Sequence, residues 1–297
     1  DNNKNKIVQF DPDDGTTINT FKSPAKDPRG ITFDGKYLWI SDRMKDELYM
    51  VSPEDGSVII ITEAPGKFTR GLAYFDKHLW ANDSQSDKIY QMVVDDGETI
   101  RKTNPHQAKV TYTHQVTNFG PGMLKELDVH IAIPRDRKNQ ELKQEPSFTP
   151  AYTEEAADQW GQRTAHFSDN QIEPGEMVNY EMSVEATTYD TRWFIFPDKV
   201  GSLDDIPDAI KDRYLQNNEK YQYDHPNIRG GIKKALGNQT TDNPYWKARA
   251  LFNYLIDNMY YEMVGGWNTA PTVLDRGNGS CSEYTFVYIA MCRAIGI

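Results

Sequence analysis

Apolar positions alternate with polar ones at a period of two until about residue 200, then recur near every 3.6 residues to the end. The runs KVTYTHQVTN (109–118), LKELDVHIAIP (124–134), RTAHFSD (163–169), EMVNYEMSVEA (176–186) and TRWFIF (191–196) predict strands, with GPG and PRDRKN as turns. In the last third, Ala248, Leu251, Phe252, Leu255, Ile256 and Met259 fall on one helix face, and Asp242 or Asn243 before Pro244 marks its start. A shorter helix is predicted from about Pro226 to a C-cap at Gly237. The last helix begins near Cys281 and sets Tyr284, Tyr288, Met291, Cys292 and Ile295 on one face, with Cys281 on the same side.

The alternating region opens with an internal repeat. RGITFDGKYLWISD (29–42) aligns with RGLAYFDKHLWAND (70–83) at an offset of 70 − 29 = 41, which also carries Tyr49 to Tyr90 and Asp55-Gly56 to Asp96-Gly97. Pro12 and Gly15 map the same way onto Pro53 and Gly56, so half of an earlier unit precedes. Each unit reads as four short antiparallel strands, and a period of about 40 residues predicts β-propeller blades. Over Lys6 to about Arg101 the segment resembles bacterial propellers with YLW and DG blade motifs. Two and a half blades close no ring, so more are expected before Asp1. Asp34, Asp42, Asp76 and Asp83 are expected to cap turns.

Several strands without a helix then predict an immunoglobulin-like β-sandwich. Its Asn118-Phe119-Gly120-Pro121, Ile133-Pro134 and Glu173-Pro174-Gly175-Glu176 resemble the β-domain found before bacterial transglutaminase-like cores. The expected division is propeller-type repeats over 1–103, the sandwich over 104–200 and an α+β core over 201–297.

Composition narrows the partners. A net charge of −11 with no basic stripe disfavours nucleic acid and anionic membrane. No apolar run approaches the ~20 residues of a membrane span. No phosphate loop, Rossmann glycine pattern or ligand-spaced His or Cys pair is present, so neither cofactor nor metal is expected. The chain begins Asp1-Asn2-Asn3-Lys4 without Met, and its true N-terminus is expected upstream.

The two cysteines, 11 residues apart on one helix, would lie about 16 Å apart, too far for a disulfide. Cys292 sits among apolar residues and reads as a small buried hydrophobe. Cys281 follows the polar turn Gly277-Asn278-Gly279-Ser280, which delivers it to the first turn of a helix. Free N–H groups and the positive end of the helix dipole stabilise a thiolate at such a position. The N–H of a first helical residue can also hold an oxyanion.

Gly279-Ser280-Cys281-Ser282-Glu283-Tyr284 followed by Cys292-Arg293-Ala294-Ile295-Gly296-Ile297 resembles the signature of the transglutaminase-like superfamily, from about Ser202 to Ile297. The Tyr260-Tyr261 strand and a connecting loop holding Thr272-Val273-Leu274 extend the likeness. The resemblance implies the N-terminal part of a papain-like thiol core, in which a cysteine attacks an amide, a histidine carries the proton and an aspartate orients the histidine. Both partners follow the cysteine helix in that family, so the fragment itself is expected to be inactive. His78, His106, His114, His130, His166 and His225 all precede Cys281, match none of these places and are expected to be structural or solvent-facing.

The expected function is a bacterial thiol acyltransferase, deamidase or protease acting on protein or peptide amides, periplasmic or extracellular by analogy. Cys281 is its nucleophile, Trp267 a groove or oxyanion residue, and Gly279, Glu283 and Tyr284 support the site. For Trp267 and Tyr284 packing in the core competes, and for Glu283 an exposed place in the first helical turn. The alternative is a binding protein that works through the propeller on a transglutaminase-like scaffold. Sequence leaves the oligomeric state open.

Overall fold

Asp-Gly and Asp-Lys turns cut the first 93 residues into strands of five to seven residues, because these residue types accept the positive φ that a tight reversal needs. The computed structural model describes residues 5–93, 97–158, 161–237, 241–263 and 266–297. The strands are β1 (Lys6–Phe10), β2 (Thr17–Lys22), β3 (Pro28–Phe33), β4 (Leu38–Asp42), β5 (Glu47–Val51), β6 (Val58–Glu63), β7 (Thr69–Phe75), β8 (His78–Asp83) and β9 (Lys88–Met92). They form three open antiparallel sheets, ordered β1-β2, β3-β4-β5-β6 and β7-β8-β9.

The repeat is therefore real as a meander of four strands followed by one of three, but the propeller is not. The sheets stay open and none closes on itself. A 41-residue period fixes the hairpins within each unit; it does not fix how units are arranged. Asp96, part of the repeat alignment, lies outside the described residues.

Asp34, Asp42 and Asp83 cap turns as expected, whereas Asp76 enters its turn through its backbone. Asp42 is 1% exposed and accepts the N–H groups of Lys26 at 2.8 Å and Met44 at 2.9 Å, and Asp83 accepts those of Gln85 at 2.7 Å and Ser86 at 3.0 Å. Asp34 accepts the Lys36 and Tyr37 N–H groups and the Trp39 indole N–H at 2.8, 2.7 and 2.8 Å. Asp76 and Lys77 both take positive φ, 50° and 61°, in the reversal between β7 and β8. The repeat is imperfect at one place. Position 75, matching Asp34, is Phe, and the buried Trp80 indole N–H is left without an acceptor.

Residues 97–194 form a separate compact unit. Its strands are β10 (Ile100–Thr117), β11 (Leu127–Ala132), β12 (Gln140–Leu142), β13 (Ser147–Thr149), β14 (Glu154–Ala157), β15 (Arg163–Asp169) and β16 (Met177–Trp193). One sheet is ordered β10-β16-β12, with β13 also on β16, and the other β11-β15-β14. Alternation places Tyr180, Met182 and Val184 of β16 against Val129, Ile131 and Phe167 in a common core.

The expected immunoglobulin-like sandwich is corrected by this topology. EMVNYEMSVEA and the start of TRWFIF are one 17-residue strand, and its antiparallel ribbon with the 18-residue β10 dominates the unit. The short β12 and β13 add to β16, while β11, β15 and β14 form a second small open sheet, and β10 is exposed along nearly its whole length. Alternation reveals which segments are extended, but not where a long strand continues through Thr187-Thr188-Tyr189-Asp190.

The other unit joins residues 1–96 to 195–297. Its last hundred residues hold α1 (Asp208–Tyr214), α2 (Pro226–Leu236), α3 (Pro244–Asn258), β17 (Tyr260–Tyr261), α4 (Ala270–Arg276), β18 (Asn278–Gly279) and α5 (Cys281–Ala294). Asn243 caps α3 by accepting the Tyr245 N–H at 2.9 Å, and α2 ends at Gly237, both as predicted. The stretch expected as a loop around Thr272-Val273-Leu274 is instead the helix α4, with Ala270 and Val273 fully buried. Leu251 and Leu255 of α3 pack with Ile228, Val273, Val287, Ala290 and Met291 in one core, whereas Phe252 and Ile256 remain exposed.

Candidate active site

The site is built where three short elements meet. Helix α4 ends at Gly277, whose φ of 75° is left-handed and turns the chain directly into β18. Strand β18 runs parallel to β17, pairing Asn278 with Tyr260 and Gly279 with Tyr261, and the Glu262 N–H donates to the Gly279 carbonyl at 3.0 Å. The chain then enters α5 through Ser280, with Cys281 its first helical residue.

Ser280 and Glu283 form a capping box, in which the Ser280 N–H donates to Glu283 Oε2 at 3.0 Å. Glu283 is 0% exposed, so its carboxylate needs partners from the protein. It has them: Arg276 Nη2 donates to Oε2 at 3.1 Å, and Asn268 donates to Oε1 through its side chain at 2.9 Å and its N–H at 3.2 Å. Burial pushes the carboxyl upward, but the bonds from Ser280 and Asn268 and the Arg276 charge outweigh it and hold the pKa at about 2. Glu283 is thus a buried anion rather than an exposed carboxylate of the first turn.

Gly279 is needed for closeness. A Cβ there would stand 3.0 Å from Glu283 Cβ, 3.1 Å from Oε2 and 3.2 Å from Val273 Cγ1. Replacing Gly279 with Ala is expected to cost about 1–3 kcal/mol by overpacking, measurable as a lowered urea midpoint at unchanged m-value.

Cys281 is exposed, unlike most unpaired cysteines. The fully buried residues of α5 are Glu283, Val287, Ala290 and Met291, a stripe roughly 130° around the helix from Cys281 at 3.6 residues per turn. The predicted face is therefore offset: Tyr284 and Tyr288 are half-buried at the edge of the core, and Cys281 lies off the stripe. Tyr284 packs as a core aromatic, and burial raises its hydroxyl pKa. Cys292 is 8% exposed, and burial pushes its thiol up to about 11 against a bond with Tyr288.

Trp267 is 69% exposed, with its ring edge-on to Phe286 at 6.1 Å. Its carbonyl accepts Lys220 Nζ, and the next residue is the Asn268 bound to Glu283. Asn278 is buried and donates to the Tyr260 hydroxyl at 2.9 Å and to Glu262 at 2.6 Å. Sequence reasoning missed Asn268 and Arg276, since partners 15 and 7 positions away on other elements leave no periodic trace. The Ser-x-x-Glu spacing at Ser280–Glu283 was the available sign of the cap.

Among the histidines, His225 caps α2, accepting the Asn227 N–H at 3.2 Å, and His166 stacks on His130 with ring centroids 4.5 Å apart. Among the described residues no group of three or more His, Cys, Asp or Glu is placed to hold a metal ion, and no helix is long and apolar enough to cross a membrane.

Comparison with known proteins places likeness at the C-terminal end. Residues 232–297 match the profile of the transglutaminase-like superfamily, a shorter segment than the 201–297 expected. No curated protein matches. One similar solved structure is a candidate cysteine protease from Cytophaga hutchinsonii, 17% identical, with 67% of this chain and 66% of that chain covered and a TM-score of 0.47. Another is glutaminyl cyclase from Myxococcus xanthus, 9% identical, with 30% and 47% covered and a TM-score of 0.27. The chain thus spans about two-thirds and half of those proteins. What the chain shares with the transglutaminase-like superfamily is the stretch from Ile232, within α2, to Ile297, which contains the turn and helix that carry Cys281.

Proposed function

We propose that the C-terminal segment belongs to a cysteine enzyme acting on protein or peptide amides, with Cys281 as nucleophile. The observation that carries this reading is an exposed cysteine at the first position of a 14-residue helix, on a turn held by a buried carboxylate. A thiolate there has the helix dipole behind it and solvent before it.

In the proposed reaction Cys281 Sγ attacks the amide carbonyl carbon, and the electron pair of the C=O bond moves to oxygen. The N–H of Cys281 has no acceptor within its own helix and can donate to that oxyanion. The C–N bond then breaks, and the amine leaves with a proton from a histidine oriented by an aspartate, the two partners implied by the resemblance. Water or a second amine releases the acyl group. Trp267 stands as a candidate wall of the acyl groove, and Gly279, Glu283 and Tyr284 as support.

The test is to treat the protein with an activated ester of a short peptide and map the thioester by mass spectrometry. The expected result is acylation of Cys281 that disappears in Cys281→Ser. Acylation no faster than that of the urea-unfolded chain would sink the reading.

A further inference from the structure

The two oxygens of Glu283 serve different segments. Oε2 receives the Ser280 N–H at 3.0 Å and Arg276 Nη2 at 3.1 Å, and so fixes the turn immediately before Cys281. Oε1 receives Asn268 twice, at 2.9 and 3.2 Å, and so fixes the segment carrying the exposed Trp267. A capping box alone needs only the first set. The Asn268 bonds tie a stretch 15 residues upstream to the same buried carboxylate.

We propose that Glu283 is a positioning residue that locks the Trp267 segment and the Cys281 turn into one rigid piece. Its charge matters as well as its shape. Arg276 also donates to the Asn278 carbonyl at 3.2 Å through Nε and 3.0 Å through Nη2, so the guanidinium sits under the turn whether or not Glu283 is ionised. The carboxylate neutralises that cation, and removing it leaves an unbalanced positive charge on Arg276 under the turn that leads into Cys281. A glutamine keeps one acceptor oxygen and replaces the other with an NH2 group that cannot accept. Facing Ser280 and Arg276 with its oxygen, it turns a donor toward the donors of Asn268 and unties the Trp267 segment.

The proposal rests on the cysteine reading for one of its two measurements only. In the full chain, Glu283→Gln and Asn268→Ala are each expected to speed amide hydrogen exchange at residues 266–270 by about tenfold or more, with the core of α5 unchanged. Alkylation of Cys281 by iodoacetamide is then timed in the folded proteins at one pH. Glu283→Gln is expected to change the rate by about threefold or more, since the turn before Cys281 loses its balanced charge and the Trp267 segment is untied. Asn268→Ala removes no charge and is expected to change the rate less. A role limited to stability predicts the wild-type rate in both folded variants.

Exchange at 266–270 unaltered in Asn268→Ala overturns the proposal even should Glu283→Gln fail to fold. A Glu283→Gln alkylation rate equal to that of wild type also overturns it. If wild-type Cys281 reacts no faster than the thiol of an unstructured peptide, the cysteine reading fails while the exchange result still decides the coupling.

Discussion

Replacing Glu283 with Ala is expected to lower stability by about 3–5 kcal/mol, among the largest single-residue effects in the C-terminal segment. The loss is not that of one surface ion pair, because the Glu283 side chain is 0% and that of Arg276 30% exposed. Removing the carboxylate leaves the Ser280 N–H and both Asn268 donors without their acceptor and leaves Arg276, still bound to the Asn278 carbonyl, without its counter-charge. Urea unfolding followed by far-ultraviolet circular dichroism measures it. A loss below about 1 kcal/mol, the range of exposed pairs, would show that the network is replaceable.

The same carboxylate makes stability depend on acid, with a fixed sign. Its folded pKa, about 2, lies below the ordinary 4.5, so its contribution is fully present above about pH 4.5 and is lost as pH falls toward 2. Glu283→Gln is expected to flatten that part of the stability profile.

The helical end was the most legible part of the chain. Asn243-Pro244 starts α3 and Gly237 closes α2 through local stereochemistry, which a sequence displays directly. The alternation in Tyr180, Met182 and Val184 likewise reported a buried sheet face. Assembly was not legible. The 41-residue repeat dictates hairpins but says nothing of closure, and the propeller expected from it is replaced by open sheets. Helix α4 was read as a loop because its seven residues are too few to show a period and begin beside Pro271.

At the site, position outran partnership. The polar turn placed Cys281 at a helix start, whereas the burial of Glu283 depends on Asn268 and Arg276, brought in by tertiary folding. Periodicity also put Cys281 and Cys292 on one side of α5, which left a buried and a reactive cysteine indistinguishable by helix face alone. Their surroundings separate them: one opens to solvent, and the other is buried in the core beside Tyr288.

That separation yields the second large effect, a difference in reactivity between two cysteines on one helix. At pH 8, iodoacetamide is expected to modify Cys281 in the folded protein at least about a hundredfold faster than Cys292. A thiol pushed from an ordinary 9.0 to about 11 has its thiolate fraction cut by roughly two orders of magnitude, before any steric protection. Unfolding in urea removes both obstacles and is expected to raise Cys292 labelling by a similar factor, so its modification reports opening of the core around α5. Linkage gives the alkaline counterpart of the Glu283 effect. The raised thiol favours the protonated folded state, so its contribution is complete below about pH 9 and is lost as pH rises toward 11. Mass spectrometry of peptides from timed labelling distinguishes the sites. Comparable rates at both cysteines in the folded chain would mean that Cys292 is not sealed and that exposure of Cys281 gives it no special standing.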